Sequence, residues 1–220
     1  MRGGRGEAHL LEGNGAALVR ERSLAAAIQQ GLERLYQLDR VVDVGVFIFA
    51  AEAGEREALL VREAADGALE MSLRVPRLAR RAFDVAEDAD LDPLCQLIEG
   101  VSHFVYLAER ARAEREATQL ELELQAEVDK YVVLASSIGS FDLAASETLR
   151  TRLYEWVSFE EGEATAAGER YRVANDVARR YTRRLEREYV APRRFAAMRD
   201  DLRRFFRMGQ EEKIRVSRGA

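Results

Sequence analysis

Residues 92–110, DPLCQLIEGVSHFVYLAER, decide the fold of this chain. Asp92 is a typical N-cap residue and Pro93 suits the first helical position, so the segment is predicted to begin a helix there. Its apolar residues recur at helical spacing around Val101, and this face is expected to be buried.

The opposite face of this predicted helix is polar and carries Glu99, His103, Tyr106 and Arg110. Glu99 and His103 are four residues apart, so their side chains can touch. A carboxylate beside an imidazole raises the imidazole pKa and orients the ring, which is a usable arrangement for a general base. A solvated face with a helix-stabilising pair is the favoured interpretation. The alternatives are a ligand or partner contact involving Arg110, and catalysis by Glu99, His103 and Tyr106.

Downstream of this helix the chain is predicted to form a helical bundle over residues 91–209. The predicted helices after the first cover 112–135, 142–157, 169–189 and 192–209. Leu120, Leu122 and Leu124 alternate as in a strand, but the surrounding residues are helix formers and Leu120, Leu124 and Val128 share one helical face. Trp156 is expected to be buried, and residues 210–220 are expected to be frayed.

Upstream, a helix over 24–38 precedes three predicted strands. Residues 41–50, VVDVGVFIFA, are nearly apolar throughout, which favours a central strand over an exposed sheet edge. Strands at 57–63 and 68–75 follow, joined by a hairpin signal at 65–67. The predicted fold is therefore α+β and predominantly helical, with an N-terminal helix on a three-stranded antiparallel meander before the bundle. Residues 1–22 are expected to be a flexible terminus and 23–86 a small α+β domain. Whether front and back form one domain or two stays open.

The composition excludes several classes of site. Cys95 is the only cysteine, and two histidines are present, so neither a disulfide framework nor a multi-Cys or multi-His metal site is available. Phosphate-loop, dinucleotide-binding, zinc-protease and nucleophile-elbow motifs are absent, as are the Glu-x-x-His pairs of di-iron bundles. A carboxylate-only metal site remains possible in principle, but no metal or cofactor is predicted.

Charge is distributed unevenly along the chain. Residues 169–220 contain 16 basic and 8 acidic side chains, against 18 and 31 in residues 1–168, which together give the totals of 34 and 39. Arg172, Arg179, Arg183 and Arg187 form one column on the predicted helix 169–189. The favoured interpretation is that this basic helix packs beside the acidic helix 112–135. The alternatives are a protein partner and a nucleic-acid phosphate backbone.

The absence of catalytic signatures and the many charged helices favour a non-catalytic interaction protein. It would be an accessory or regulatory subunit that binds a protein partner, or a second copy of itself, through helical surfaces. An enzyme with an acid–base site around Glu99 and His103 is less favoured, as is a nucleic-acid binder acting through the C-terminal arginines.

No apolar stretch approaches the roughly 18 residues of a membrane span. The absence of such a stretch and the predominance of arginine among the basic residues together suggest a cytoplasmic bacterial protein.

Overall fold

The computed structural model describes residues 18–39, 42–52, 54–63, 69–78, 91–156 and 165–218. The fold is α+β and mostly helical, as predicted. In chain order the elements are α1 (Val19–Tyr36), a 3₁₀ turn (Val44–Phe47), β1 (Ile48–Ala50), β2 (Ala58–Glu63), β3 (Leu69–Val75), α2 (Leu91–Arg112), α3 (Gln119–Ser137), α4 (Leu143–Tyr154), α5 (Ala166–Leu185), a π-helical turn (Glu186–Val190), α6 (Phe195–Arg207) and α7 (Gln210–Arg218).

The sheet is mixed, with strand order β1-β3-β2. β3 is the central strand, antiparallel to β2 and parallel to β1, so the predicted antiparallel meander is wrong for β1. Among residues 42–50, the described part of this apolar segment, only Ile48–Ala50 form a strand, and it lies at a sheet edge. The preceding residues turn instead because the Asp43 side chain accepts a hydrogen bond from the Gly45 N–H at 2.7 Å, which competes with ladder pairing. The predicted hairpin residues 65–67 lie outside the described ranges.

α2 is buried on both sides, so its predicted solvated face is wrong. It packs against α1 and α3 as well as against β2 and β3. A Cβ atom at Gly100 would lie 2.5 Å from Leu73 Cδ1, so glycine permits the close approach of helix and sheet. The polar face of α2 turns toward the rest of the bundle, and its four predicted site residues are between 1% and 9% exposed: Glu99, His103, Tyr106 and Arg110.

α3 is helical through the segment whose leucines alternate, as predicted. Thr118 and Glu121 form a capping box that fixes where this helix begins. α4 ends at Tyr154, whose hydroxyl donates to the Glu127 carbonyl at 2.9 Å. Trp156 therefore lies beyond the helix and is 72% exposed, contrary to the prediction that it is buried.

Both ends of the described chain are more ordered than predicted. Residues 19–22, assigned to a flexible terminus, are the first turn of α1. Residues 210–218, expected to be frayed, form α7, in which Lys213 and Ser217 are fully buried. The Lys213 ammonium has an acceptor there, because it donates to Gln125 Oε1 at 2.6 Å.

Buried apolar side chains of α1, the sheet and the later helices form one continuous core. The front part and the bundle are therefore packed together across α2. Within the described part of the chain, no helix combines the length and the apolar character needed to cross a membrane.

Candidate metal centre

A buried group of ionisable side chains lies where α2 and α3 pack together. α2 supplies Glu99 and His103 from successive turns, because residues four apart share a helical face. α3 supplies a second set at the same spacing. The remaining members come from the residue before β2 and from α5, and the whole group consists of Glu57, Glu99, His103, Glu123, Glu127, Lys130 and Arg170.

His103 lies between two carboxylates. Its Nδ1 is 3.7 Å from Glu57 Oε1, and its Nε2 is 3.7 Å from Glu123 Oε2. Both separations exceed the usual hydrogen-bond range. His103 Nε2 and Glu57 Oε2 are buried, and neither has a hydrogen-bond partner among the described residues. Unsatisfied buried polar atoms are costly, so a further partner at these two atoms would be favourable.

Lys130 is the main cation of the group. Its ammonium is 2.6 Å from Glu127 Oε1 and 3.3 Å from Glu99 Oε2. Burial would lower the pKa of Lys130, but the two carboxylates outweigh that effect and hold it well above its usual range. Glu127 is thus the closer partner of the lysine, and Glu99 is the more available carboxylate.

Negative side chains outnumber the positive ones in this group. Glu57, Glu99, Glu123 and Glu127 contribute four carboxyl groups, against the ammonium of Lys130 and the guanidinium of Arg170, whose Nε is 3.9 Å from Glu123 Oε1. If every carboxyl group were ionised and the imidazole neutral, the group would carry a net charge of −2, which the nearby guanidinium of Arg56 partly offsets. Such an excess in a buried place favours either protons or a bound cation.

The pKa values of the carboxyl groups and of His103 reflect both burial and this excess of negative charge. Burial and the nearby Glu99 carboxylate raise the pKa of Glu123 to about 8. Burial also raises the pKa of Glu57 well above its usual range. Burial pushes the pKa of Glu99 upward too, but Lys130 and His103 outweigh it, so that pKa is lowered. Burial lowers the pKa of His103, although the Glu99 carboxylate and a backbone contact with Leu122 act in the opposite direction. The imidazole is therefore neutral, the form that ligates metals.

Glu99, His103 and Glu123 each offer one ligand atom, and these three atoms all lie within 4.8 Å of one another. Two ligand atoms about 2.1 Å from one ion are about 3.4 Å apart at a tetrahedral angle and about 4.2 Å apart when opposite each other. The 3.7 Å between His103 Nε2 and Glu123 Oε2 falls inside that range. The three ligand atoms lie within 4.8 Å of one another, a limit above the largest separation of about 4.2 Å that one ion allows, so the side chains would draw together by up to about 1 Å to close the site. One imidazole with two or three carboxylates is a donor set suited to Mn²⁺, Fe²⁺ or Zn²⁺.

The structure brings Glu99 and His103 together, as the sequence analysis allowed, but not Tyr106 and Arg110. These two belong to a separate buried network, in which the Tyr106 hydroxyl donates to Glu121 Oε1 at 2.8 Å. The Arg110 guanidinium also donates to Glu121, and it donates to the Met208 carbonyl at 3.0 Å. This network joins α2 and α3 to the C-cap of α6.

The predicted arginine column lies on α5 and the π-helical turn: Arg172, Arg179, Arg183 and Arg187. α5 packs against α3, as the favoured interpretation required. Two members of the column nevertheless pair locally, Arg179 with Asp176 at 3.0 Å and Arg187 with Glu188 at 3.0 Å. Acidic residues of α3 are therefore not the partners of these two arginines, which pair with acidic residues close to them in sequence.

Sequence reasoning missed Glu57, Glu123, Glu127 and Lys130 as members of a site. A signal was present, because Glu123 and Glu127 repeat the four-residue spacing of Glu99 and His103 on the next helix. On the sequence alone, these acids lie instead on an acidic helix predicted to pack beside the basic helix 169–189. The contribution of Glu57 carries no comparable signal, because it depends on how the sheet docks on α2.

No protein-family model matches the chain, and no curated protein or solved structure is significantly similar to it. The chemistry of the candidate centre therefore rests on its own residues. Their arrangement can hold a divalent cation in a buried, water-poor environment.

Proposed function

We propose that this protein binds a divalent transition-metal ion between α2 and α3, with Glu99, His103 and Glu123 as ligands. The observation that carries the proposal is the convergence of these three buried side chains while His103 Nε2 lacks a hydrogen-bond partner among the described residues. Glu57 faces the other imidazole nitrogen, Nδ1, at 3.7 Å, where a carboxylate can orient the ring of a metal-binding histidine. The sequence favours a non-catalytic protein that binds a partner through helical surfaces, whereas the proposed metal site lies in the interior.

Charge supports the proposal. A divalent ion would neutralise the excess of two negative charges that the cluster carries when all four carboxyl groups are ionised. Lys130 can retain Glu127, its closer partner at 2.6 Å, while Glu99 turns to the ion. An internal ion pair and a metal site can therefore coexist, since each uses different carboxylate oxygens.

Direct titration tests the proposal. Metal-free protein should bind about one equivalent of Mn²⁺ or Zn²⁺ in calorimetry, and bound Mn²⁺ should lose the six-line electron paramagnetic resonance signal of the aqueous ion. Pulsed spectroscopy should then detect coupling to one imidazole nitrogen, that of His103.

Variants locate the ion. Loss of a group that merely supports a ligand costs roughly 10- to 100-fold in affinity, so Glu99→Gln or Glu123→Gln should weaken binding at least about 100-fold. Asp129→Asn is the matched control, because Asp129 is also a buried carboxylate on α3 but accepts from Ser102 at 2.6 Å outside the cluster. Unchanged affinity in Glu99→Gln and Glu123→Gln, or no binding by the folded wild type, would refute the proposal.

An acid–base enzyme is the second candidate. It is favoured by the raised pKa of Glu123, about 8, beside a neutral His103, since groups poised near neutrality suit proton transfer. A substrate turnover that needs His103 but survives removal of all metal ions would favour it over metal binding. Binding of a protein partner through helical surfaces and binding of nucleic acid both stay predictions.

A further inference from the structure

A second candidate site is a cleft between α4, α5 and the π-helical turn. Its volume is about 760 Å³, within the roughly 300–1,000 Å³ typical of small-molecule sites. Five of its nine lining residues are arginines: Arg150, Arg179, Arg180, Arg183 and Arg187. Two glutamates also line it, so positive side chains prevail.

The outer wall of the cleft has more guanidinium groups than carboxylates. Arg179 and Arg180 share the single carboxylate of Asp176, at 3.0 and 2.8 Å. Arg187 pairs with Glu188, but both side chains remain well exposed to solvent. The Arg183 guanidinium has no hydrogen-bond or ion-pair partner within the described ranges. Solvated arginines with shared or weak partners can turn to a ligand at little cost.

The inner wall is fixed by a stronger ion pair. Arg150 Nε is 2.9 Å from Glu186 Oε2, and Arg150 Nη1 is 2.8 Å from Glu155 Oε1. Ser146 donates to Glu186 Oε1 at 2.9 Å and completes the anchoring of this carboxylate. Glu186 and Arg187 both belong to the π-helical turn, a conformation found frequently at functional sites.

The spacing of the arginines sets the size of the ligand. Arg179, Arg183 and Arg187 recur every four residues, and at 1.5 Å per residue they span about 12 Å along the helix axis. One phosphate group can be held by the guanidinium groups of about one helical turn, often through paired hydrogen bonds. The full row therefore suits an anion with several phosphate groups.

We propose that this cleft binds a small ligand carrying two or more phosphate groups, with Arg183 and Arg187 as the main contacts. The site is separate from the candidate metal centre and does not depend on it. The cleft is concave and of small-molecule size, which favours such a ligand over a nucleic-acid strand. A strand would need a continuous basic path beyond the cleft.

Calorimetry with inorganic tripolyphosphate at low salt tests this proposal. EDTA is included so that no metal ion bridges protein and phosphate. The wild type should bind one equivalent, and raising the salt concentration should weaken the affinity because the contacts are ionic. Arg183→Gln with Arg187→Gln should weaken binding at least tenfold.

The matched control is Arg215→Gln with Arg218→Gln, which removes two exposed arginines of α7 that do not line the cleft. Binding by this control should equal that of the wild type. The proposal is overturned by absence of binding at millimolar tripolyphosphate, or by equal losses in both double variants. It is also overturned if a single-stranded oligonucleotide binds through Arg183 and Arg187 more tightly than tripolyphosphate, which would favour a nucleic-acid surface.

Discussion

At Lys213, burial of a charge has a large predicted consequence for pH-dependent stability. It is fully buried on α7, where its ammonium donates to Gln125 Oε1 at 2.6 Å and lies 4.5 Å from the centre of the Tyr106 ring. Burial lowers the pKa of Lys213 from 10.5 to about 7, although Asp129 and Glu121 act in the opposite direction. At physiological pH this lysine is therefore close to half-protonated.

The sign and size of the effect follow from proton linkage. Each tenfold change in proton affinity is worth about 1.4 kcal/mol, so the charged form of Lys213 costs the folded protein up to about 5 kcal/mol. Between the folded and unfolded pKa values, about 7 and 10.5, the unfolded chain binds more protons. The free energy of unfolding therefore rises with pH across that window, by about 2.5 kcal/mol between pH 6 and pH 9 from this residue alone.

Lys213→Met removes this titration while keeping a long apolar side chain. Urea unfolding at pH 6 and pH 9 should show the variant gaining stability relative to wild type at the lower pH. The difference should shrink by about 2.5 kcal/mol at the higher pH, equivalent to about 5–10 °C in Tm for a chain of this size. Any constant packing difference cancels in this comparison. Arg215→Met, on the exposed side of the same helix, should follow the wild-type profile.

Spectroscopy can measure the pKa of Lys213 directly, because Lys130 is the only other lysine in the chain. With ¹³C-labelled lysine, two side-chain resonances are expected. That of Lys213 should titrate near pH 7, whereas that of Lys130 should titrate well above the usual range. A Lys213 resonance that titrates above pH 9, or parallel stability profiles for wild type and Lys213→Met, would refute the reasoning.

Three further substitutions test the packing by urea unfolding at pH 7. Gly100→Ala should lower the free energy of unfolding by about 1–3 kcal/mol because the added Cβ would press on Leu73, and an unchanged value would mean that helix and sheet are less tightly apposed. Asp201→Asn should cost about 3 kcal/mol, since Arg184, which contacts it at 2.7 Å, would lose its buried partner; a loss below 1 kcal/mol would contradict this. Trp156→Ser should change stability by less than about 0.5 kcal/mol, and a large loss would place this side chain in the core instead.

Local signals predicted that these segments are helical, but not every helix end. α2 begins at Leu91, one residue before the predicted N-cap Asp92. α3 begins at Gln119, seven residues after its predicted start at 112, because the Thr118–Glu121 capping box, which the sequence analysis overlooked, fixes that end. Helix-forming residues also outweighed the strand-like alternation of the leucines in α3. Such features need no knowledge of what the element packs against.

Features that depend on distant partners could not be predicted. The parallel pairing of Ile48 with Leu73 depends on which strand lies next to β1 in the sheet. The residue pattern of neither strand specifies that neighbour. The second buried face of α2 likewise depends on α3 packing over Glu99 and His103. Two of the three proposed ligands, Glu99 and His103, were therefore singled out from sequence, although as an acid–base pair and not as metal ligands. The third ligand, Glu123, and the contributions of Glu57 and Lys130 were not.

Distances between charged groups distinguish the ion pairs elsewhere in the bundle from the carboxylates around His103. Arg184 meets Asp201 at 2.7 Å, which is a hydrogen-bonded distance that offsets the cost of burying charge. Around His103 the flanking carboxylate oxygens stay 3.7 Å away on both sides. Burying ionisable groups at such distances costs stability that an apolar residue of similar volume would not. An imidazole binds one ion through one nitrogen, so only the 3.7 Å between His103 Nε2 and Glu123 Oε2 matches the spacing of two ligands of one ion, and it supports the metal site that we propose.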